Sequence, residues 1–222
     1  MLAYYDERAS EYEEAYTLGT GTSSIQDPGV FTSEARILSA IVGQRLSGRV
    51  IDVACGTGFW LPHYAGACSH ITLFDQSEKM LGECRKKIDA GGLTERCVLL
   101  QGDVFEHRFP TGSYDCALVG FLLSHLTEAQ ERLLFSALTR MLVPSGRFLI
   151  LESAWSPERA KVNVKADRQE RRLNDGTAFE IYKRYFDRDD VLEWQRRHDV
   201  SLEVEHFGAA FVAVSGTTSF RY

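Results

Sequence analysis

Between Gly48 and Ser153 the chain alternates short apolar runs with longer segments of helical spacing, and no other feature restricts its fold as much. The runs are "RVIDVA", "TLFD", "CVLLQGD", "YDCALVG" and "GRFLILES". Short apolar runs of this kind form strands buried on both faces. Ser77 to Ala90 and Thr127 to Met141 repeat apolar residues at helical intervals, and Gly91-Gly92 and Pro144 punctuate their ends. Strands alternating with helices predict βαβ units and a doubly wound α/β fold with a mostly parallel sheet.

The flanks extend this reading. Tyr4 to Tyr16 is predicted as one helix with Tyr5, Ala9, Tyr12 and Tyr16 on a single stripe, and Thr32 to Gln44 as another. "TLGTGTSSIQDPGV" between them is expected to be a mobile connection, and no strand precedes its Gly19-Thr20-Gly21-Thr22. After Ser153, Trp155 to Asn174 is rich in Arg and Lys and is predicted helical. "TAFEIYKRYF" alternates like a strand, and Asp187 caps a helix running to His198. "VSLEVEHFG" and "AAFVAVSG" read as two antiparallel strands closing a seven-stranded sheet. At 222 residues this is expected to be one domain, with the C-terminal third a sheet edge plus an insertion.

Composition narrows the function. The net charge is -6, which argues against a nucleic-acid partner. The N-terminus has neither the basic nor the apolar region of a signal peptide, and no run is long enough to span a bilayer. The expectation is a cytoplasmic protein with no membrane partner, as a monomer or homodimer. The five cysteines show no C-x-x-C pair, so they read as buried thiols, and no residue spacing predicts a metal site.

"VIDVACGTGFW", Val50 to Trp60, carries the chemistry. Gly56 and Gly58 follow a strand and let a ligand approach the main chain, at the strand end where open sheets bind ligands. Leu61 stands where a dinucleotide fingerprint has its third glycine, which weighs against a pyrophosphate. Asp52 lies in the strand before the turn, Asp75 ends the second strand and Asp103 the third. Three carboxylates at consecutive strand ends suit an adenosyl ligand carrying positive charge better than one carrying phosphates.

These residues resemble those of class I S-adenosylmethionine-dependent methyltransferases. The likeness rests on "VIDVACGTGFW", "LFDQSEKML", "QGDVFE", "YDCALVGFLLSHL" and "LVPSGRFLILES", over about residues 48 to 153. "YYDERASEYEEAY" is similar to the tyrosine-rich lid of small bacterial members. The sequence departs from the pattern at Ala54, where a glycine is often found. The resemblance implies a Rossmann-like fold with residues 1–31 as an N-terminal helical lid, 48–153 as the cofactor-binding core and 154–186 as an insertion shaping the acceptor pocket. It implies S-adenosyl-L-methionine as cofactor and a small-molecule methyl acceptor. Asp52, Ala54, Gly56 and Gly58 would line the methionine part, Asp75 the ribose, Gln76 and Met80 the adenosine, and Asp103 and Val104 the adenine. Gly120 and Phe121 would lie near the sulfonium, with Tyr12 closing over the cofactor and Tyr4 or Tyr5 over the acceptor.

His125, after the fourth strand, is the candidate general base, because imidazole titrates near neutrality. The competing readings are a substrate contact without proton transfer, and a histidine satisfied in its loop or capping the next helix. From the basic cluster Arg168, Arg171, Arg172, Lys183 and Arg184, the residues chosen as substrate ligands are Arg172 and Arg184. An arginine there would grip a carboxylate or phosphate. Asp6, Glu11, Glu13 and Glu14 are expected to be the solvated side of the lid. The transfer is expected at oxygen or nitrogen, less at sulfur or carbon. Rival readings are a cofactor-binding module without catalysis, another use of the same cofactor, and a nicotinamide-dependent oxidoreductase.

Overall fold

The computed structural model describes residues 1–17, 25 and 27–218; the Gly19–Thr22 stretch lies outside them. The N-terminal segment forms two short helices, α1 (Leu2–Arg8) and α2 (Glu14–Thr17), ahead of the long α3 (Pro28–Arg45). Asp27 caps α3 by accepting from the Gly29 amide, so this helix starts four residues earlier than predicted. The alternating core follows as β1 (Gly48–Val53), α4 (Leu61–Tyr64), β2 (Cys68–Asp75), α5 (Glu78–Ala90), β3 (Cys97–Gln101), β4 (Tyr114–Gly120), α6 (Glu128–Met141) and β5 (Leu142–Ser153). Each of the five predicted strands is present, and Ser77 and Thr127 cap α5 and α6 through their hydroxyls.

The C-terminal third contains α7 (Pro157–Ala160), β6 (Ala166–Arg172), β7 (Ala178–Arg184), α8 (Arg188–His198), β8 (Val200–Phe207) and β9 (Phe211–Thr218). The expected helix over Trp155–Asn174 is therefore wrong: beyond α7 the segment becomes a strand. Strands β6 and β7 form a separate antiparallel hairpin. The helix after Asp187 and the two closing strands stand as predicted.

Seven strands make one sheet in the order β3-β2-β1-β4-β5-β9-β8, parallel from β3 to β5 and antiparallel at β9 and β8. Strand parity sorts the core into two layers. Val50, Leu73 and Leu118 face α3, α4 and α5, whereas Ile51, Val53 and Val119 face α6 and α8. The chain leaves β1 toward β2 on one side and reaches β4 on the other. That reversal opens a crevice beyond the carboxyl ends of β1 and β4. Among the described residues no helix is long and apolar enough to cross a membrane, and no cluster of side chains could hold a metal ion.

The single helix predicted over Tyr4–Tyr16 is interrupted between Ala9 and Glu13. On an unbroken helix Tyr5 and Tyr16 would stand about 16 Å apart at 1.5 Å per residue. The break folds the stripe back, so the Tyr5 and Tyr12 rings lie 6.3 Å apart and those of Tyr12 and Tyr16 5.7 Å. The acidic side chains hold this shape and are not merely solvated. Asp6 accepts from the Ser77 hydroxyl, and Glu13 accepts from Thr57 at 2.6 Å and pairs with Lys87 at 2.6 Å. Glu11 and Glu14 take the Asn174 amide and side chain at 2.9 and 3.0 Å.

Candidate active site

Two adjoining compartments occupy the crevice. The first is a cleft partly open to solvent, between the strand ends and the N-terminal helices. Ala54 and Gly56 form its floor with positive φ angles of 55° and 57°. Cys55 and Gly56 hang on the second strand: the Cys55 amide donates to the Phe74 carbonyl at 3.0 Å, and the Gly56 amide to Asp75 Oδ2 at 2.9 Å. Asp75 Oδ1 takes the Ser77 amide at 2.8 Å, so this carboxylate fixes both loops while facing the cleft. Burial raises its pKa, against the pull of the Ser77 and Gly56 amides. Gln76, Met80, Val104, Gly120 and Phe121 complete the wall, with Asp103 braced by the Phe105 amide at 2.8 Å.

Two residues assigned to the cofactor lie elsewhere. Asp52 shares its strand face with Val50, so it points behind the turn, where it is buried and accepts from the Tyr64 hydroxyl at 2.9 Å. Burial raises its pKa to about 7. Gly58 does not line the cleft. Its φ is +70°, and a Cβ there would meet Cys84 Sγ at 2.9 Å, so glycine is required for the approach of α5.

The second compartment is a smaller, partly open space beneath the N-terminal helices. Tyr5, Tyr12, Phe121 and His125 line both spaces and form the wall between them. His125 sits in a single 3₁₀ turn, Leu123–His125, clamped by β7. Its Nδ1 lies 2.7 Å from the Tyr182 carbonyl, so that nitrogen carries the proton and donates it. Nε2 is then free to accept from the Tyr5 hydroxyl at 2.8 Å. Burial, with Lys183 nearby, lowers the imidazole pKa to about 3, so the ring is neutral at physiological pH.

Tyr4 is 2% exposed and packs on Phe179 at the roof of the second compartment. Arg172 and Arg184 are outside it. Arg172 pairs with Glu170 at 2.7 Å on the exposed side of the hairpin. Arg184 pairs with the fully buried Glu131 and donates to the Leu123 carbonyl at 3.1 Å. The cations that do line the space are Arg8, Arg159, Arg171 and Lys183. Alternation along β6 and β7 explains the exchange, because Arg171 and Lys183 stand one residue from the two chosen. Glu34 was also missed: it caps the Ala209, Ala210 and Phe211 amides and so seats Phe211 against Phe121.

The fold, with its glycine turn and Asp75 at consecutive strand ends, is the Rossmann-like fold of methyltransferases. Known proteins agree. The family model described as "Methyltransferase domain" matches residues 50–146. The ubiquinone/menaquinone biosynthesis C-methyltransferase UbiE of Pseudomonas fluorescens (strain Pf0-1) is 31% identical over 120 residues, 53% of this chain and 46% of the relative. That of Saccharophagus degradans is 32% identical over 128 residues, 56% of this chain and 50% of the relative. The chain thus spans about half the length of the curated relatives it matches. Among solved structures, one titled "DhpI-SAM-HEP complex" superposes with a TM-score of 0.75 at 22% identity, over 97% of this chain and 94% of that one. Over residues 50–146, somewhat less than half of its length, the chain thus resembles a methyltransferase domain, and its fold is that of S-adenosylmethionine-dependent methyltransferases.

Proposed function

We propose that this protein transfers a methyl group from S-adenosyl-L-methionine to a nucleophilic oxygen or nitrogen of a small molecule. The observation that carries this reading is the shared wall. A cleft suited to a cofactor and a second, partly open space meet at Tyr5, Tyr12, Phe121 and His125. Methyl transfer needs nucleophile, carbon and sulfur in one line with water excluded, and two compartments meeting end to end supply that geometry.

The residues of the first cleft fit the cofactor. The Asp75 carboxylate has lone pairs left for a ribose diol after binding two amides, and Met80 and Val104 offer apolar surface to an adenine beside Asp103. When bound, the cofactor supplies a methyl carbon whose bond pair returns to sulfur as the acceptor's lone pair forms the new bond. Asp52 and Gly58 act from behind, by shaping the turn. Residues 1–17 serve as the lid and the 154–186 insertion as the acceptor wall, since β7 holds the turn that carries His125.

His125 stands at the wall, but its low proton affinity suits orienting the Tyr5 hydroxyl better than storing a proton. The polar lining of the second space favours an oxygen or nitrogen acceptor over a carbon one. Calorimetric titration of the chain with S-adenosylhomocysteine, with NADH as control, tests the cofactor assignment. Micromolar binding of the first alone is expected, and NADH binding or no binding of either refutes it.

A further inference from the structure

The second compartment is lined by an unusual set of charges. Arg8, Arg159 and Lys183 are 8%, 3% and 8% exposed, and Arg171 is half-buried beside them. They come from α1, α7, β6 and β7, so four separate elements converge on one space. Arg8 donates to the Tyr4 hydroxyl and lies over the Tyr4 and Tyr12 rings. Arg171 donates to Gln169 Oε1 at 2.6 Å and the Glu170 carbonyl at 3.3 Å. Lys183 donates to the Ser124 hydroxyl at 2.7 Å, and Arg159 to the Ala210 carbonyl at 2.9 Å beside the Tyr185 ring. The oxygens in these bonds are neutral.

Two carboxylates lie close by. Glu152 is fully buried behind the wall, where its oxygens accept the Ser124 and Ser153 amides at 3.0 and 3.2 Å. Glu34 is taken by the amides of Ala209, Ala210 and Phe211 and by His206. Three guanidinium groups and the Lys183 amine therefore line one space, and although Glu152 acts on Lys183 and Glu34 on Arg159, the basic groups outnumber these two carboxylates. Burying like charges together is costly, and a bound anion removes that cost. The fork of each guanidinium matches paired oxygens. Cations converging from four elements cannot all reach the two coplanar oxygens of a carboxylate, whereas a tetrahedral group presents oxygens in several directions.

We propose that the methyl acceptor carries a tetrahedral oxyanion of the phosphoryl type, held by Arg8, Arg159, Arg171 and Lys183 beneath the lid. This rests on the methyl-transfer reading, because the oxyanion end would set which acceptor atom meets the wall at Tyr5, Tyr12, Phe121 and His125. The lid sets a size limit: with Tyr4 buried as roof, the acceptor is a small molecule and not a polymer.

The test is calorimetric titration of the full chain with inorganic phosphate at pH 7 and low ionic strength, with and without S-adenosylhomocysteine. Acetate is the planar control. Phosphate should bind, and acetate at least 10-fold more weakly. Arg171→Gln and Lys183→Met should each weaken phosphate at least 10-fold and leave S-adenosylhomocysteine affinity within threefold. Arg168→Gln, on the exposed side of the hairpin and paired with Glu180, should change neither. Arg171 is only half-buried, so its substitution tests the charge even if Lys183→Met destabilises the fold. No phosphate binding, or equal binding by wild type and Arg171→Gln, overturns the proposal. Acetate binding as tightly as phosphate overturns the tetrahedral assignment. Arginine-dependent phosphate binding without any S-adenosylhomocysteine binding would instead overturn the methyl-transfer reading and leave the oxyanion site standing.

Discussion

Asp75→Asn separates the two duties of one carboxylate. In the native protein Oδ2 accepts the Gly56 amide at 2.9 Å and Oδ1 the Ser77 amide at 2.8 Å, which ties the glycine turn to the start of α5. An asparagine keeps one acceptor oxygen and turns an NH2 donor against the other amide. One backbone donor is then orphaned, at a cost of about 1–3 kcal/mol, or about 2–12 °C in melting temperature for a chain of this size. The charge that would hold the ribose hydroxyls is lost as well. Hydrogen bonds to a charged group are worth about 1.5–3 kcal/mol, so affinity for S-adenosylhomocysteine should fall about 10- to 150-fold. Calorimetry and a thermal melt read the two effects apart. Affinity within twofold of wild type would refute the ribose assignment, even if the melting temperature drops as expected.

Other substitutions probe other links. His125→Gln keeps a side-chain amide for Tyr5 and should slow turnover less than about 10-fold, whereas general-base loss would cost about 10²–10⁴-fold in kcat. A loss above 100-fold would restore the base assignment. Ala54 holds φ at +55°, where an L-residue is strained by about 1–2 kcal/mol. Ala54→Gly relieves that strain against glycine's greater unfolded-state entropy, so stability should rise by about 0.5 kcal/mol; a lower melting temperature would show that the methyl packs productively. Glu131→Gln leaves Arg184 and Arg197 facing a neutral group and should cost about 3–5 kcal/mol by denaturant unfolding. Burial would raise the Glu131 pKa, but hydrogen bonds from His198 and Arg184 hold it at about 2. A carboxylate depressed in the folded state stabilises fully above its unfolded pKa, so the gap between wild type and variant should be constant above about pH 4.5 and shrink as pH falls toward 2. A gap that persists at pH 2 would refute the ion-pair account.

The parallel core was legible because its signals are local. Continuous apolar runs, two hydroxyl caps and a glycine turn each fix their own segment, and β4 begins and ends at the predicted residues, Tyr114 and Gly120. The hairpin was not, since β6, "ADRQERR", has no apolar alternation to announce a strand. Read as helix, the segment lost its period of two, and the choice slipped by one position to Arg172; in β7 the strand was recognised, but which of its faces meets the site was not legible, so Arg184 stood in for Lys183. Asp52 shows the opposite case. Its strand was recognised, and parity with Val50 already placed its side chain behind the turn, but the motif likeness outweighed that geometry. The lid break had no sequence signal of its own. It depends on Thr57, Lys87 and Asn174, partners distant in sequence that draw Glu13, Glu11 and Glu14 apart.

The same partners hold the N-terminal helices over the site. Inside, Tyr4 packs with Leu173 and Ile181 in a small cluster of their own, whereas Tyr16 packs on Phe31, Phe59, Trp60, Phe121 and Phe211 at the main core. The lid's outer ties, such as Glu7 with Lys79 at 2.7 Å, are exposed pairs worth about 0–1 kcal/mol each. The first helix, α1, is therefore held more lightly than α2, which Glu13 also ties to Lys87 and Thr57. The turn bearing His125 is bound more firmly, because three successive residues of β7 grip it through Tyr182, Lys183 and Arg184. Arg184 is in turn anchored on Glu131 in α6. The cationic residue misassigned to the substrate is therefore part of the rigid side of the site. On the proposed function, the acceptor would lie between the insertion, which fixes the turn bearing His125, and α1, which is tied by exposed pairs.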